Sequence, residues 1–324
     1  MKRYKFIDIS KGIGITLVVL YHAPSIGEIS HIGTFYWGGW VSTFYMPLFF
    51  LLSGVFYNSN KISKRIKNLL YPYISFMLLA SIIEIAKRCI VDENVDWMHI
   101  LAPLFGETSN YPNTPCWFLF SLIQINLIAY ILQKVSKKPL ALCTMSLVVS
   151  IGGYVWGLKN PNVKYYVDVS MLCNFFFILG FISKKYILDI LDYKVALFLL
   201  LSNIIIFYFL PSGCNVSQNS LGGSYPMFLL ISTISSLGVI GCSRALENTK
   251  LGDILEYYGR NSLIVLCTHI IILNVIFKLL LKLHLSNGIQ TASGTILIMI
   301  VEIPVIWIIN NYFPFLIGKS KIQQ

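Results

Sequence analysis

Residues 3–22 read Arg3-Tyr-Lys-Phe-Ile-Asp8-Ile-Ser-Lys11-Gly12-Ile-Gly14-Ile-Thr-Leu-Val-Val-Leu-Tyr21-His22, a charged start running into an apolar stretch that ends on an imidazole. The order of charge and then grease is that of a helix anchored by its basic end at a membrane surface. It also resembles a signal peptide, but the cleavage site fails. Tyr21 is bulky where a small residue is needed, and Pro24 follows Ala23, so the segment reads as a signal anchor and first helix. The rest of the chain agrees with lipid as its solvent. Of 324 residues, 56% are hydrophobic and only 12% charged, where soluble domains are about one quarter charged. The net charge of +11 sits in small clusters between apolar runs, which sets topology and gives no footprint for nucleic acid.

Apolar runs long enough to cross about 30 Å of hydrocarbon predict helices at 9–27, 38–57, 69–88, 115–133, 140–157, 168–183, 194–210, 226–243, 261–280 and 292–312. The fold class is therefore all-α: a polytopic integral membrane protein of about ten transmembrane helices, forming one domain over residues 1–324. With the amino terminus in the cytoplasm, only Lys87, Arg88, Lys159, Lys164, Lys278 and Lys282 fall outside, and the other nineteen of the 25 basic residues fall inside. That asymmetry fixes the expected orientation. The two longest outer connections, Cys89 to Thr114 and Pro211 to Tyr225, are the segments able to meet a polar extracytoplasmic molecule. The seven cysteines are dispersed without a CxxC pair, so neither a metal site nor a disulfide framework is expected, although Cys89 and Cys116 could meet on the outside.

Lys11 and His22 are eleven residues apart, which on a helix puts them within about 20° on one face and roughly 16 Å apart along the axis. Asp8 falls near the same face, and Gly12 and Gly14 allow a neighbouring helix to approach. Ionisable residues in a span are costly and face a partner or a cavity. His22 is accordingly either a helix-to-helix hydrogen bond or a functional group. Lys11 and Arg3 on their own would be ordinary positive-inside anchors. Glu84, Gln124, Asn126, Asn174, His269, Asn274 and Glu302 are further polar residues that line the same cavity or join helices.

Four segments together resemble acyltransferase family 3, a family of membrane-bound enzymes. The first helix, with Arg3, Asp8, Lys11-Gly12 and His22, is the most specific. Phe44 to Phe56, with Pro47 and Ser53-Gly54, is similar to the family's second helix, with Val55 inserted before the aromatic. Lys64-Arg65-Ile-Lys67-Asn68 resembles the basic turn before its third helix, with Asn68 where many members carry Arg. Pro115-Cys-Trp117-Phe118-Leu119 resembles a signature of sugar O-acetylase members. The resemblance implies a multi-pass enzyme of a bacterial inner membrane that takes an acyl group, commonly acetyl, from cytoplasmic acyl-CoA to a hydroxyl of extracytoplasmic or lipid-linked carbohydrate. In that reading acetyl-CoA is a donor substrate, with no bound cofactor or metal. His22 is the catalytic residue, Arg3, Lys11, Lys64, Arg65 and Lys67 bind the phosphates of the donor, Asp8 and Ser53 support them, and Trp117 meets the acceptor. A polysaccharide or small-solute transporter is the alternative, since it too needs polar residues along an internal path.

Overall fold

The computed structural model describes residues 3–24, 26–91, 94–107, 113–160 and 163–319. They form α-helices α1 (Lys5–Tyr21), α2 (Ile26–Ile29), α3 (Trp37–Val55), α4 (Ile62–Val91), α5 (Trp97–Leu101), α6 (Trp117–Val135), α7 (Pro139–Lys159), α8 (Val167–Ile182), α9 (Tyr193–Phe209), α10 (Tyr225–Ala245), α11 (Lys250–Arg260), α12 (Ser262–Leu281) and α13 (Asn287–Tyr312). Among the described residues there is no strand, only the isolated bridges Ile32–Phe35 and Asn215–Ser220. A helix stands at each of the ten expected positions. Among the described residues, eight helices are long and apolar enough to cross a membrane. The remaining two, α1 and α9, have 17 residues each, the short end of what spans hydrocarbon.

The first expected span is shifted. It begins at Lys5 because charged residues at a membrane edge sit comfortably in a helix, and it stops at Tyr21 because Pro24 lacks an N–H and its ring would clash one turn back. His22 is thus the residue that ends the helix. A second difference is α11, an amphipathic helix absent from the span list. Thr249 caps it by accepting from the Gly252 N–H at 3.0 Å, as N-cap hydroxyls do.

Helix α3 sits at the centre, with 83% of its apolar window buried, whereas α4 and α7 stand at the rim with 28% each. Helix α1 is also central and touches α3, α10, α11, α12 and α13. Its crossing with α11 is the closest approach: a Cβ on Gly12 would collide with the Leu255 carbonyl, and one on Gly259 with the Asp8 carbonyl. Small residues at such crossings let two backbones touch. Cys89 is exposed, Cys116 is buried, and all seven cysteines are free, so the Cys89–Cys116 meeting expected on the outside does not occur. Cys89 lies on rim helix α4, whereas Cys116 is packed into the bundle at the start of α6.

Candidate active site

Two cavities lie along α1, one above the other. The inner one, of about 310 Å³, carries Lys11, Arg65 and Arg260, and its wall includes Ile15, Phe49 and Leu122. The outer one, of about 340 Å³, lies beside His22 and Tyr21 and is bounded by Tyr45, Trp117, Tyr166 and the segment Asn215 to Gln218. Met46 of α3 and Leu266 of α12 line both. These two apolar side chains therefore form the partition between a basic chamber and an imidazole-bearing chamber.

The inner cations are held in different ways. Asp8, 5% exposed, accepts from Arg3 Nε at 2.6 Å and from Lys11 Nζ at 3.3 Å. One buried carboxylate thus ties the start of α1 to the lysine one turn on. Lys11 also lies over the Phe56 ring, 5.9 Å from its centroid. Arg65 donates from Nη1 to the Phe56 carbonyl at 3.0 Å and from Nη2 to the Ser53 carbonyl at 2.6 Å. The last carbonyls of a helix have no partner within it, and a cation is favourable there, so Arg65 closes α3 while facing the chamber. Ser53 itself lines the same chamber. Arg260 pairs with Glu256 at 2.7 Å one turn back on α11. Outside the spans, burial, with a contribution from Arg3, pushes the Lys319 ammonium below the usual lysine range.

Only part of the cationic set expected from sequence converges. Lys11 and Arg65 reach the inner chamber. Lys64 and Lys67 instead line an open depression of about 510 Å³ together with Asn68 and Tyr71. On a helix, residues 64, 67, 68 and 71 share one face, while 65 and 69 share another, and Leu69 indeed joins Arg65 in the chamber. Arg3 is engaged with Asp8 and does not line the chamber. Arg260 takes part without having been singled out in the sequence. Its signal was the apolar pattern Leu251, Ile254, Leu255 and Tyr258 after the Thr249 cap, an amphipathic helix that ends on that arginine.

His22 has its Nδ1 2.7 Å from the Val18 carbonyl. A carbonyl only accepts, so Nδ1 carries the hydrogen and Nε2 keeps a free lone pair. His269 of α12 repeats the arrangement, with Nδ1 2.8 Å from the Val265 carbonyl. It is fully buried, and its Nε2 has no hydrogen-bond partner among the described residues. The two imidazoles meet edge to face, with ring centroids 5.1 Å apart. The sequence offered His269 only as one of several polar residues within spans; the pairing arises from the packing of α1 against α12.

Trp117 is 7% exposed and lies 5.8 Å from the Tyr166 ring, so it forms a fixed wall of the outer cavity. Asn113, in the Cys89 to Thr114 connection expected to meet a polar molecule, is 1% exposed and donates to the Cys267 carbonyl at 2.8 Å. It anchors the start of α6 to α12, two residues before His269. Glu107 pairs with Lys164 at 3.3 Å, and Asp96 is exposed. Tyr111, Asp92 and Glu93 lie outside the described residues. From that connection, among the described residues, only Thr114 lines the outer cavity, and the other long connection supplies Asn215, Ser217 and Gln218.

No curated protein and no solved structure matches the chain. The family model described as an acyltransferase domain, that of acyltransferase family 3, matches residues 4–311, nearly the whole length. A basic chamber and an imidazole with a free lone pair, separated by two side chains inside one membrane bundle, are parts that acyl transfer can use. The chain belongs to acyltransferase family 3 and is a membrane acyltransferase.

Proposed function

We propose that the protein moves an acetyl group from cytoplasmic acetyl-CoA to a hydroxyl of an extracytoplasmic or lipid-linked carbohydrate, at the inner membrane of a bacterium. The observation that carries this reading is the pair of cavities meeting at Met46 and Leu266, with cations below and His22 above. Lys11, Arg65 and Arg260 hold the phosphates of the donor, which favour Lys and Arg donors. The pantetheine arm follows the apolar wall toward the partition. Arg3 and Asp8 act through Lys11, by fixing it.

The acceptor enters the outer cavity, where Trp117 walls one side and Asn215, Ser217 and Gln218 orient hydroxyls. Its hydroxyl oxygen attacks the thioester carbonyl while His22 Nε2 takes the hydroxyl proton. The new C–O ester bond forms, the C–S bond breaks, and the proton passes from His22 to the departing thiolate. His269 is a positioning residue, whose uncommitted Nε2 lone pair favours the imidazolium formed at His22 during the step. Interactions that are better in the transition state than in the resting state accelerate chemistry.

Family membership weighs against the transporter alternative, which needs neither a phosphate-holding chamber nor a base above it. The test is incubation of the purified protein in lipid with labelled acetyl-CoA and fractionated surface glycans. Label on a glycan hydroxyl supports the reading. Label confined to protein or water, with every glycan fraction, contradicts it.

A further inference from the structure

Outside the His22 cavity lies a larger open one of about 600 Å³ that no part of the proposed reaction uses. Tyr21 and Asn215 line both, so the two form one path from the imidazole to the surface. The outer part carries His31 and Tyr36, whose rings are stacked 4.6 Å apart at 14°. Ser212 and Ser220 supply hydroxyls to it. Among the described residues no Lys, Arg, Asp or Glu lines either cavity, so neither offers a ligand a permanent charge.

This rim is preformed. The Cys214 N–H donates to Ser42 Oγ at 2.9 Å, tying the 211–225 segment to α3. Asn219 Nδ2 donates to the Gly153 carbonyl and to Asp168 Oδ2, both at 3.0 Å, tying it to α7 and α8. Gly222 has φ of +64°, and a Cβ there would run into the Gly213 carbonyl, so the segment doubles back on itself in a way that a larger residue would prevent. A groove that needs no ordering on binding retains more of its contact energy.

We infer that the acceptor site runs from the His22 cavity into this outer cavity, and that it takes a neutral oligosaccharide spanning at least two sugar units, one beside His22 and the next against the His31–Tyr36 stack. The inference rests on the carbohydrate reading above. A sugar ring presents an apolar C–H face that packs on an aromatic plane and hydroxyls that meet serine, tyrosine and amide groups. Anionic glycans gain nothing from a lining without Lys or Arg. A single sugar would leave the larger cavity unused.

The experiment uses the full-length protein in lipid with labelled acetyl-CoA. The acceptors are fragments of the producing cell's surface polysaccharide, cut to one, two and four sugar units and separated into neutral and anionic fractions. KM should drop about tenfold from one to two neutral units, the scale of one added aromatic contact, and little further at four. His31→Ala should erase that gain, while His31→Phe, which keeps a stacked ring, should retain it. Hydrolysis of acetyl-CoA by water in the same samples reports that each variant is folded. Equal KM at every length, a preference for anionic fragments, or a length preference that survives in folded His31→Ala would overturn the inference alone. Absence of transfer to every fragment, with hydrolysis intact, would overturn the carbohydrate reading and this inference with it.

Discussion

His22 and His269 stand edge to face, ring centroids 5.1 Å apart, each with Nδ1 tied to a carbonyl one turn back on its own helix. Each imidazole is thereby fixed in one tautomer, with Nε2 left as the working atom. His269→Phe preserves a ring of similar size and removes the lone pair. In steady-state kinetics it should lower kcat by roughly one to two orders of magnitude, short of the two to four that loss of a general base costs. KM for acetyl-CoA should stay as it is. An unchanged kcat would reduce His269 to packing.

Three cations face the inner cavity, but they are not equivalent. Lys11→Ala and Arg260→Ala each remove one charge, and a hydrogen bond to a charged group is worth about 1.5–3 kcal/mol. Lys11→Ala should therefore weaken acetyl-CoA binding by about ten- to a hundredfold, and the more exposed Arg260 should give less. Arg65→Ala also strips the Ser53 and Phe56 carbonyls of their donor, so thermal stability should fall along with affinity. Titration with acetyl-CoA, alongside melting curves in detergent, separates the two effects. Full affinity in both Lys11→Ala and Arg260→Ala would move the donor elsewhere.

The partition is testable by size. Met46 is 4% exposed and Leu266 6%, and methionine is the more adaptable of the two. Met46→Ala opens the partition and should raise the hydrolysis of acetyl-CoA by water relative to glycan transfer. It should also cost about 2–5 kcal/mol of stability, as large-to-small core changes do. Leu266→Trp should block transfer while acetyl-CoA still binds below it. Transfer at the normal rate in a folded Leu266→Trp protein would show that the acyl group does not pass between these residues.

Glu302 is fully buried on α13, and both its carboxyl oxygens lie within hydrogen-bond distance of Thr268 Oγ1, at 2.8 and 2.9 Å. The contact joins α13 to α12 one residue before His269. Thr268→Val leaves a buried polar group unmatched, a loss of about 1–3 kcal/mol, and should lower the melting temperature. Glu302→Gln keeps an acceptor and the side-chain volume, and should be nearly neutral in both melting and turnover. A large loss of turnover in a stably folded Glu302→Gln protein would assign that carboxyl a part in the reaction.

Much of the fold was legible because a membrane span is a one-dimensional signal: apolar runs located ten helices, with ends that differ by up to seven residues. Pro24 and the charged start of α1 moved its ends for local reasons. Helix α11 was missed because its residues alternate by face, so no apolar run appears. The site was legible only where it lies on one helix, as Lys11 and His22 do. Arg260, His269, Met46 and Leu266 reach it from α11, α12 and α3, and contacts between helices far apart in sequence leave no periodic trace. The cations of the basic turn, Lys64, Arg65 and Lys67, looked equivalent in sequence and are divided by the turn of the helix.

Transfer between the two faces of the membrane through His22 is tested most directly in sealed vesicles. Purified protein is sealed into vesicles and sorted by orientation. Labelled acetyl-CoA is supplied only at the face bearing Lys11 and Arg260, and the glycan only at the face bearing Trp117 and Asn215. Label is expected on the glycan in wild type, and about 100- to 10,000-fold less in His22→Ala although that variant still binds acetyl-CoA. Label appearing only when donor and glycan share one face, or a His22→Ala protein that transfers at the wild-type rate, would contradict transfer between the faces through His22.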